Sequence, residues 1–247
     1  MPSDLSFELY NNVLRECPGR IDYTIKAFKI LPKLEKANIL DIGCGAGEPT
    51  IELAKLSGGT VTGIDINSDA LNKFKDKIKE QNLSDRIKII NMSMTALDFP
   101  QESFDLIWSE GSIFIMGFER GLKEWRKFIK PNGFLVVHDS CWLAPDPPEE
   151  ILIHYKKMYS GITTHEKNIE IISQCGYNIL GEFKLPEEAW GELYFYPLEE
   201  RIEEFREKYK NEPNANIILN REENEIRLYR KYKKWYGSAY YVMQKTD

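Results

Sequence analysis

Cysteine, histidine and long apolar runs are all scarce in this chain, and each shortage closes off a class of function. The four cysteines, Cys17, Cys44, Cys141 and Cys175, lie far apart and never form a C-x-x-C pair, so neither a zinc site nor a disulfide framework is suggested. The three histidines, His138, His154 and His165, match no helix-based ligand spacing, and no metal is expected. No apolar run approaches the roughly 20 residues of a membrane span, and no signal-peptide core opens the chain, which implies a cytoplasmic protein with no membrane partner. Excess positive charge is missing too. The net charge of −6 argues against a nucleic-acid partner, which wants a basic face. The densest basic stretch, Arg227 to Lys234, carries Ile226, Tyr229, Tyr232 and Trp235 at helical spacing, and is expected to be an amphipathic helix with a solvated basic face.

What is present is a strand that empties into a ligand-binding turn. Ile39-Leu40-Asp41-Ile42-Gly43-Cys44-Gly45-Ala46-Gly47 delivers an acid and three alternating glycines just before a helical pattern. Such glycines open backbone angles closed to other residues and let a ligand lie on the main chain. A dinucleotide fingerprint G-x-G-x-x-G would need its third glycine where Glu48 stands; here it comes one residue early, at Gly47. The next strand, Thr60 to Asp65, ends in a carboxylate about 20 residues after the first glycines, where doubly wound folds put the acid that takes the ribose hydroxyls. Asp65 is therefore the expected ribose ligand, with Ile66 beside it. Ser68 is the expected cap of the following helix.

The pattern D-x-G-x-G-x-G after a strand resembles the first motif of the class I S-adenosylmethionine-dependent methyltransferases. Four further stretches fall in that family's order. Asp65 closes the second. After Ile87 to Ile90, Ser93 and Met94 stand where the family commonly has an acid and a small residue against the adenine. Ser93 offers a hydroxyl in place of a carboxylate, and Met94 a polarisable thioether that packs on rings. Phe104-Asp105-Leu106-Ile107-Trp108-Ser109-Glu110-Gly111 resembles the F-D-x-I strand, and its carboxyl end should face the methyl group and the acceptor. Ile129-Lys130-Pro131-Asn132-Gly133 is close to the L-K-P-G-G turn before strand five. The longer string from Trp108 to Gly121 is similar to a subgroup of small-molecule methyltransferases and names no acceptor.

The resemblance implies an α/β fold: a Rossmann-like seven-stranded sheet with an antiparallel last strand, N-terminal helices, and a helical insertion between strands six and seven. It also implies cofactor contacts from Asp41, Gly43, Cys44, Gly45, Gly47, Asp65, Ile66, Ser93, Met94, Ser109 and Glu110. Cys44 lies inside the turn and is expected to be a small buried residue, not a methyl-accepting thiol.

The chain of 247 residues is expected to be a single domain, burying roughly 70 to 75% of its unfolded surface. Residues 1–36 would form a helical lid, with Leu5, Leu9 and Val13 on one stripe and Ile21, Ile25, Phe28 and Leu31 on another. Residues 37–184 and 237–247 would form the core, with Phe118, Leu122, Trp125 and Ile129 as a helix stripe against the sheet. Residues 185–236 are too long for a hairpin loop and too aromatic for a linker, and would form a cap over the acceptor. Trp142, Trp190 and Tyr194 are its expected substrate contacts; a dimer contact is the competing use for such aromatics, leaving monomer and homodimer both open. Asp146-Pro147-Pro148-Glu149 mimics the D-P-P-aromatic motif of amino-methylating nucleic-acid enzymes, but lies after the wrong strand and lacks the aromatic.

Methyl transfer from S-adenosylmethionine to a small molecule needs chiefly alignment and exclusion of water. If a base is needed, Glu110 is the first candidate and His138 the second. Two other readings stay open: an S-adenosylmethionine-binding protein without turnover, and a nicotinamide oxidoreductase, which Glu48 disfavours.

Overall fold

Period-two alternation along the central strands decides which side chain goes to which face of the sheet. In a computed structural model, which describes residues 4–10 and 17–246, β1 (Asn38–Ile42) sends Ile39 to one hydrophobic layer and Leu40 and Ile42 to the other. β4 (Phe104–Glu110) does the same with Leu106 and Trp108 against Ile107. Both faces are covered, so these strands read as nearly continuous apolar runs. The remaining strands are β2 (Thr60–Asp65), β3 (Ile87–Asn91), β5 (Ile129–Trp142), β6 (Tyr177–Lys184) and β7 (Tyr236–Lys245). They form one seven-stranded sheet in the order β3-β2-β1-β4-β5-β7-β6, with β7 antiparallel to both neighbours. This is the expected fold.

Two helices, α1 (Asp4–Tyr10) and α2 (Ile21–Phe28), precede the sheet. Leu9 is buried as the N-terminal stripe requires, whereas Val13 lies outside the described residues. α3 (Glu48–Ser57) and α4 (Ser68–Glu80) pack with α2 on one face. α5 (Phe118–Trp125) and α7 (His165–Gln174) pack on the other, and α6 (Glu149–Met158) stands at the end of β5. Two sequence expectations need correction. The cap of α4 is Asn67, whose side-chain oxygen accepts from the Asp69 and Ala70 N–H groups, and Ser68 is the first helical residue. The α5 stripe ends at Trp125, and Ile129 instead opens β5, because a short 3₁₀ turn, Arg126–Phe128, breaks the period.

Between β6 and β7 lie α8 (Glu187–Trp190), a π turn (Gly191–Phe195), α9 (Tyr196–Lys208) and α10 (Pro213–Tyr232). With α1, α6 and the last residue of β5 they enclose a third core layer that includes Trp142, Tyr155, Trp190, Phe195, Tyr229 and Tyr236. The basic face of α10 points outward, where Arg227 and Lys231 meet Glu150 and Arg230 meets Glu199. No helix among the described residues is long and apolar enough to cross a membrane.

Trp125, fully buried between α5 and the sheet, tests this packing. Trp125→Ala should cost about 3 to 5 kcal/mol of stability, read as a lowered urea midpoint; a loss below about 1 kcal/mol would mean that the layer is loosely packed.

Candidate active site

The turn after β1 is shaped by two close approaches and one carboxylate. Gly43, at φ +76°, lies where a Cβ would meet Ser112 Oγ at 2.5 Å, and Gly47, at φ +83°, where it would meet the Phe74 ring at 2.0 Å. Neither position admits a side chain. The Gly43 and Cys44 N–H groups donate to the Ile64 carbonyl at 2.9 and 3.0 Å, which ties the turn to β2. At the end of β2, Asp65 accepts from the Gly45 N–H at 2.9 Å through one oxygen and from the Asn67 N–H at 2.8 Å through the other. Asp41 is buried and accepts from the Thr50 hydroxyl at 2.5 Å, which fixes α3 against the strand that feeds the turn. Burial, with Asp41 and Asp65 adding their charge, pushes the Cys44 thiol well above its ordinary range, so it stays protonated and is a poor nucleophile.

A cavity of about 370 Å³ opens along this turn and runs to the carboxyl end of β4. That volume lies within the range of small-molecule sites, about 300 to 1,000 Å³. Of the expected cofactor contacts, Asp41, Gly43, Cys44, Gly45, Gly47, Asp65, Ile66, Ser93, Met94 and Glu110 all line it. Ser109 does not: it is fully buried behind the wall, sharing a hydrogen bond of 2.8 Å with Ser112, whose hydroxyl donates to the Ile42 carbonyl. Ser93 holds Thr95 through a hydroxyl pair at 2.9 Å.

Glu110 occupies the far end. Its Oε1 accepts from the Thr24 hydroxyl and from the Trp108 indole N–H, each at 2.8 Å, so α2 and β4 together fix the carboxylate. His138 sits across from it in the sheet register but off the cavity wall. Its Nε2 is 2.7 Å from Ser238 Oγ, and its ring stacks on Tyr240 at 4.6 Å. The structure brings Glu110 to the cavity and leaves His138 out.

Trp142, Trp190 and Tyr194 come together, though not on the cavity wall. Trp190 is buried against Tyr236 and donates its indole N–H to Ser238 Oγ at 3.1 Å, because β7 presents both of those residues to it. Trp142 packs edge-on to Tyr155. Tyr194 stacks on Tyr10 with centroids 6.4 Å apart, and Tyr10 does line the cavity. The expected aromatic wall is therefore one layer further out. Tyr10, Cys17, Thr24 and Lys73 were not legible as site residues: they carry no motif, and tertiary packing alone brings them in, whereas Ser112, Phe114 and Ile115 lie in the string that runs on from Glu110. Phe114 and Ile115 followed Glu110 closely enough in sequence to have been suspected.

The strand order, the antiparallel β7 and a cavity at the β1 turn define the class I methyltransferase fold. Residues 39–133 match the family described as a methyltransferase domain. A sterol 24-C-methyltransferase of Gibberella zeae is 28% identical over 148 residues, 60% of this chain and 36% of that enzyme. The chain spans about two-fifths of the length of the curated relatives it matches. Among solved structures, a methyltransferase of Geobacter sulfurreducens in complex with S-adenosylhomocysteine superposes with a TM-score of 0.86 at 15% identity, covering 99% of this chain and 98% of that one. The cyclase SpnF gives 0.78 at 18% identity, over 98% and 91%. At these identities the structural likeness is one of fold. Residues 39–133 thus resemble a methyltransferase domain, and the chain that holds them has the class I methyltransferase fold.

The last two glycines of the turn separate backbone strain from crowding. A Cβ on Gly45, φ +49°, meets nothing within 4 Å, whereas one on Gly47 meets Phe74. Gly45→Ala should cost about 1 to 2 kcal/mol and Gly47→Ala clearly more, measured by urea unfolding; equal losses would show that Phe74 yields freely.

Proposed function

We propose that this protein transfers a methyl group from S-adenosylmethionine to a small-molecule acceptor. The observation that carries the reading is the cavity that joins the glycine turn and Asp65 at one end to Glu110 at the other. The residues suit the cofactor. Asp65 is oriented by two backbone N–H groups and retains acceptor capacity for ribose hydroxyls. Ile66, Met92 and Met94 supply apolar surface for a purine, with Ser93 at its edge. Asp41, Gly43, Cys44, Gly45 and Gly47 form the floor beside the cofactor's amino-acid portion, and Ser109 supports them through Ser112.

When bound, the cofactor would supply a methyl group already activated by its sulfonium. The chain's own work is alignment and exclusion of water, worth up to about 7 to 11 kcal/mol. Glu110, held by Thr24 and Trp108, is placed to accept a proton from the acceptor or to hold the cofactor's cationic end. The segment before β1 supplies Tyr10 from α1, Cys17 and, from α2, Thr24 to this region, which supports the reading of residues 1–36 as a lid, and residues 185–236 supply the aromatic layer behind Tyr10, which supports theirs as an acceptor cap. The cyclase neighbour shows that the same fold serves other reactions, so methyl transfer must be measured directly.

Titration calorimetry should show binding of S-adenosylhomocysteine and none of NAD, and Asp65→Ala should weaken the former about 10- to 150-fold, the loss of hydrogen bonds to a charged acceptor. Labelled methyl transfer into a metabolite extract should follow. Binding of NAD without response to S-adenosylhomocysteine would overturn the reading, and binding without transfer to any metabolite would favour a role without turnover.

A further inference from the structure

Three consecutive apolar residues follow β4 on a 3₁₀ turn, Ile113–Ile115, and only the first of them reaches the core. Side chains on such a turn are spread about 120° apart, so they cannot share one face. Ile113 is fully buried against Gly121, where a Cβ would meet it at 2.5 Å. Phe114 and Ile115 are left outward, 39% and 61% exposed, and both line the cavity. Phe114 is braced from behind. Its ring lies 5.7 Å from that of Tyr159, which is buried and donates its hydroxyl to Asp139 on β5 at 2.7 Å. Apolar surface held toward the open space of a cavity marks a binding face.

That brace also says which end of the cavity the turn serves. In the sheet, Asp65 and the residues from Met92 to Thr95 follow β2 and β3, on one side of the glycine turn. Phe114 reaches Tyr159 and through it β5, so it stands on the opposite side, past Glu110. Cys17 is there too, packed against Gly111. The nucleoside reading thus takes one half of the cavity and leaves this half to the acceptor.

Polar recognition is scarce in the acceptor half. The Ser112 hydroxyl donates to the Ile42 carbonyl, the Tyr10 hydroxyl donates to Glu222 at 2.7 Å, and Glu110 Oε1 accepts from both Thr24 and Trp108. Among the described residues that line the cavity, Lys73 is the one cationic side chain, and it rides on α4, in the nucleoside half. An acceptor bearing a phosphate or a carboxylate would find no cation beside Glu110 and would meet that residue's like charge. A sugar-like acceptor would leave most of its hydroxyls without partners.

We propose that the acceptor has an apolar body and no anionic group, and that Phe114 and Ile115 form the face on which it lies. The proposal rests on the methyltransferase reading above and adds the acceptor class to it. The two side chains set specificity, with the reacting group directed past them toward Glu110.

The test is calorimetry on the full chain saturated with S-adenosylhomocysteine, which occupies the cofactor's share of the cavity, using 2-naphthol, uncharged at neutral pH, and its anionic counterpart 2-naphthoate. The naphthol should bind at least about tenfold tighter than the naphthoate, and Phe114→Ala should weaken it at least about fivefold, as loss of an aromatic anchor does. Retained S-adenosylhomocysteine binding shows that this variant is folded. Should it not fold, Ile115→Ala decides, because a side chain 61% exposed contributes little to the core. Its loss must weaken the naphthol at least about threefold. Equal or tighter binding of the naphthoate, no binding of the naphthol, or a naphthol affinity unchanged by the substitution would each overturn the proposal. Failure of the wild type to bind S-adenosylhomocysteine would instead sink the methyltransferase reading on which it rests.

Discussion

The site depends on one carboxylate that faces two ways. Asp65 accepts an N–H from Gly45 across the gap between strands and another from Asn67 two residues further on, so the β1 turn and the entry to α4 are locked to the same two oxygens. Hydrogen bonds to a charged acceptor are stronger than neutral ones, about 1.5 to 3 kcal/mol each. With the turn held, Gly43 can lie against Ser112 and Gly47 against Phe74, and the cavity floor between them stays open. A residue that looks from its position like a ligand contact is thus also the frame on which the contact surface is hung.

The fold was legible because its signals are local. Apolar runs ending in glycine or acid, repeated in order, need no tertiary information, and the strands fall where those runs lie. Choices between adjacent candidates were less secure. Ser68 and Asn67 are both good caps, and only the backbone angle at Asn67 decides between them. Ser109 and Ser112 are both small hydroxyls at the end of strand four, and the strand's pleat puts the first behind the wall while the turn brings the second, itself largely buried, to the cavity. Thr24 and Tyr10 were out of reach, since nothing in an N-terminal helix announces which strand end it will meet. Glu222 was hidden for a related reason: in a helix crowded with charge, the sequence does not say which acid turns inward.

Polar groups in the aromatic layer show how an interior of this kind is kept in register. Ser238 on β7 meets both the His138 ring and the Trp190 indole, so one hydroxyl couples two strands and the insertion. On the outer side, the basic face of α10 is balanced by acids from α6, α8 and α9, as in the pair of Lys233 with Glu187. Such exposed pairs are worth little singly. They do explain why a run of arginine and lysine in an acidic protein need not announce a polyanionic partner.

The insertion leaves the sheet at the end of β6 and returns at the start of β7, two strands that lie side by side; Lys184 pairs with Ala239, and the Leu185 N–H donates to the Ser238 carbonyl at 2.9 Å. In the language of chain topology the whole helical segment is the loop of a hairpin. The entropy of closing such a loop grows only slowly with its length, about 0.6 kcal/mol per doubling. Lineages can therefore lengthen, shorten or exchange this cassette while the nucleotide-facing half of the molecule evolves on its own schedule.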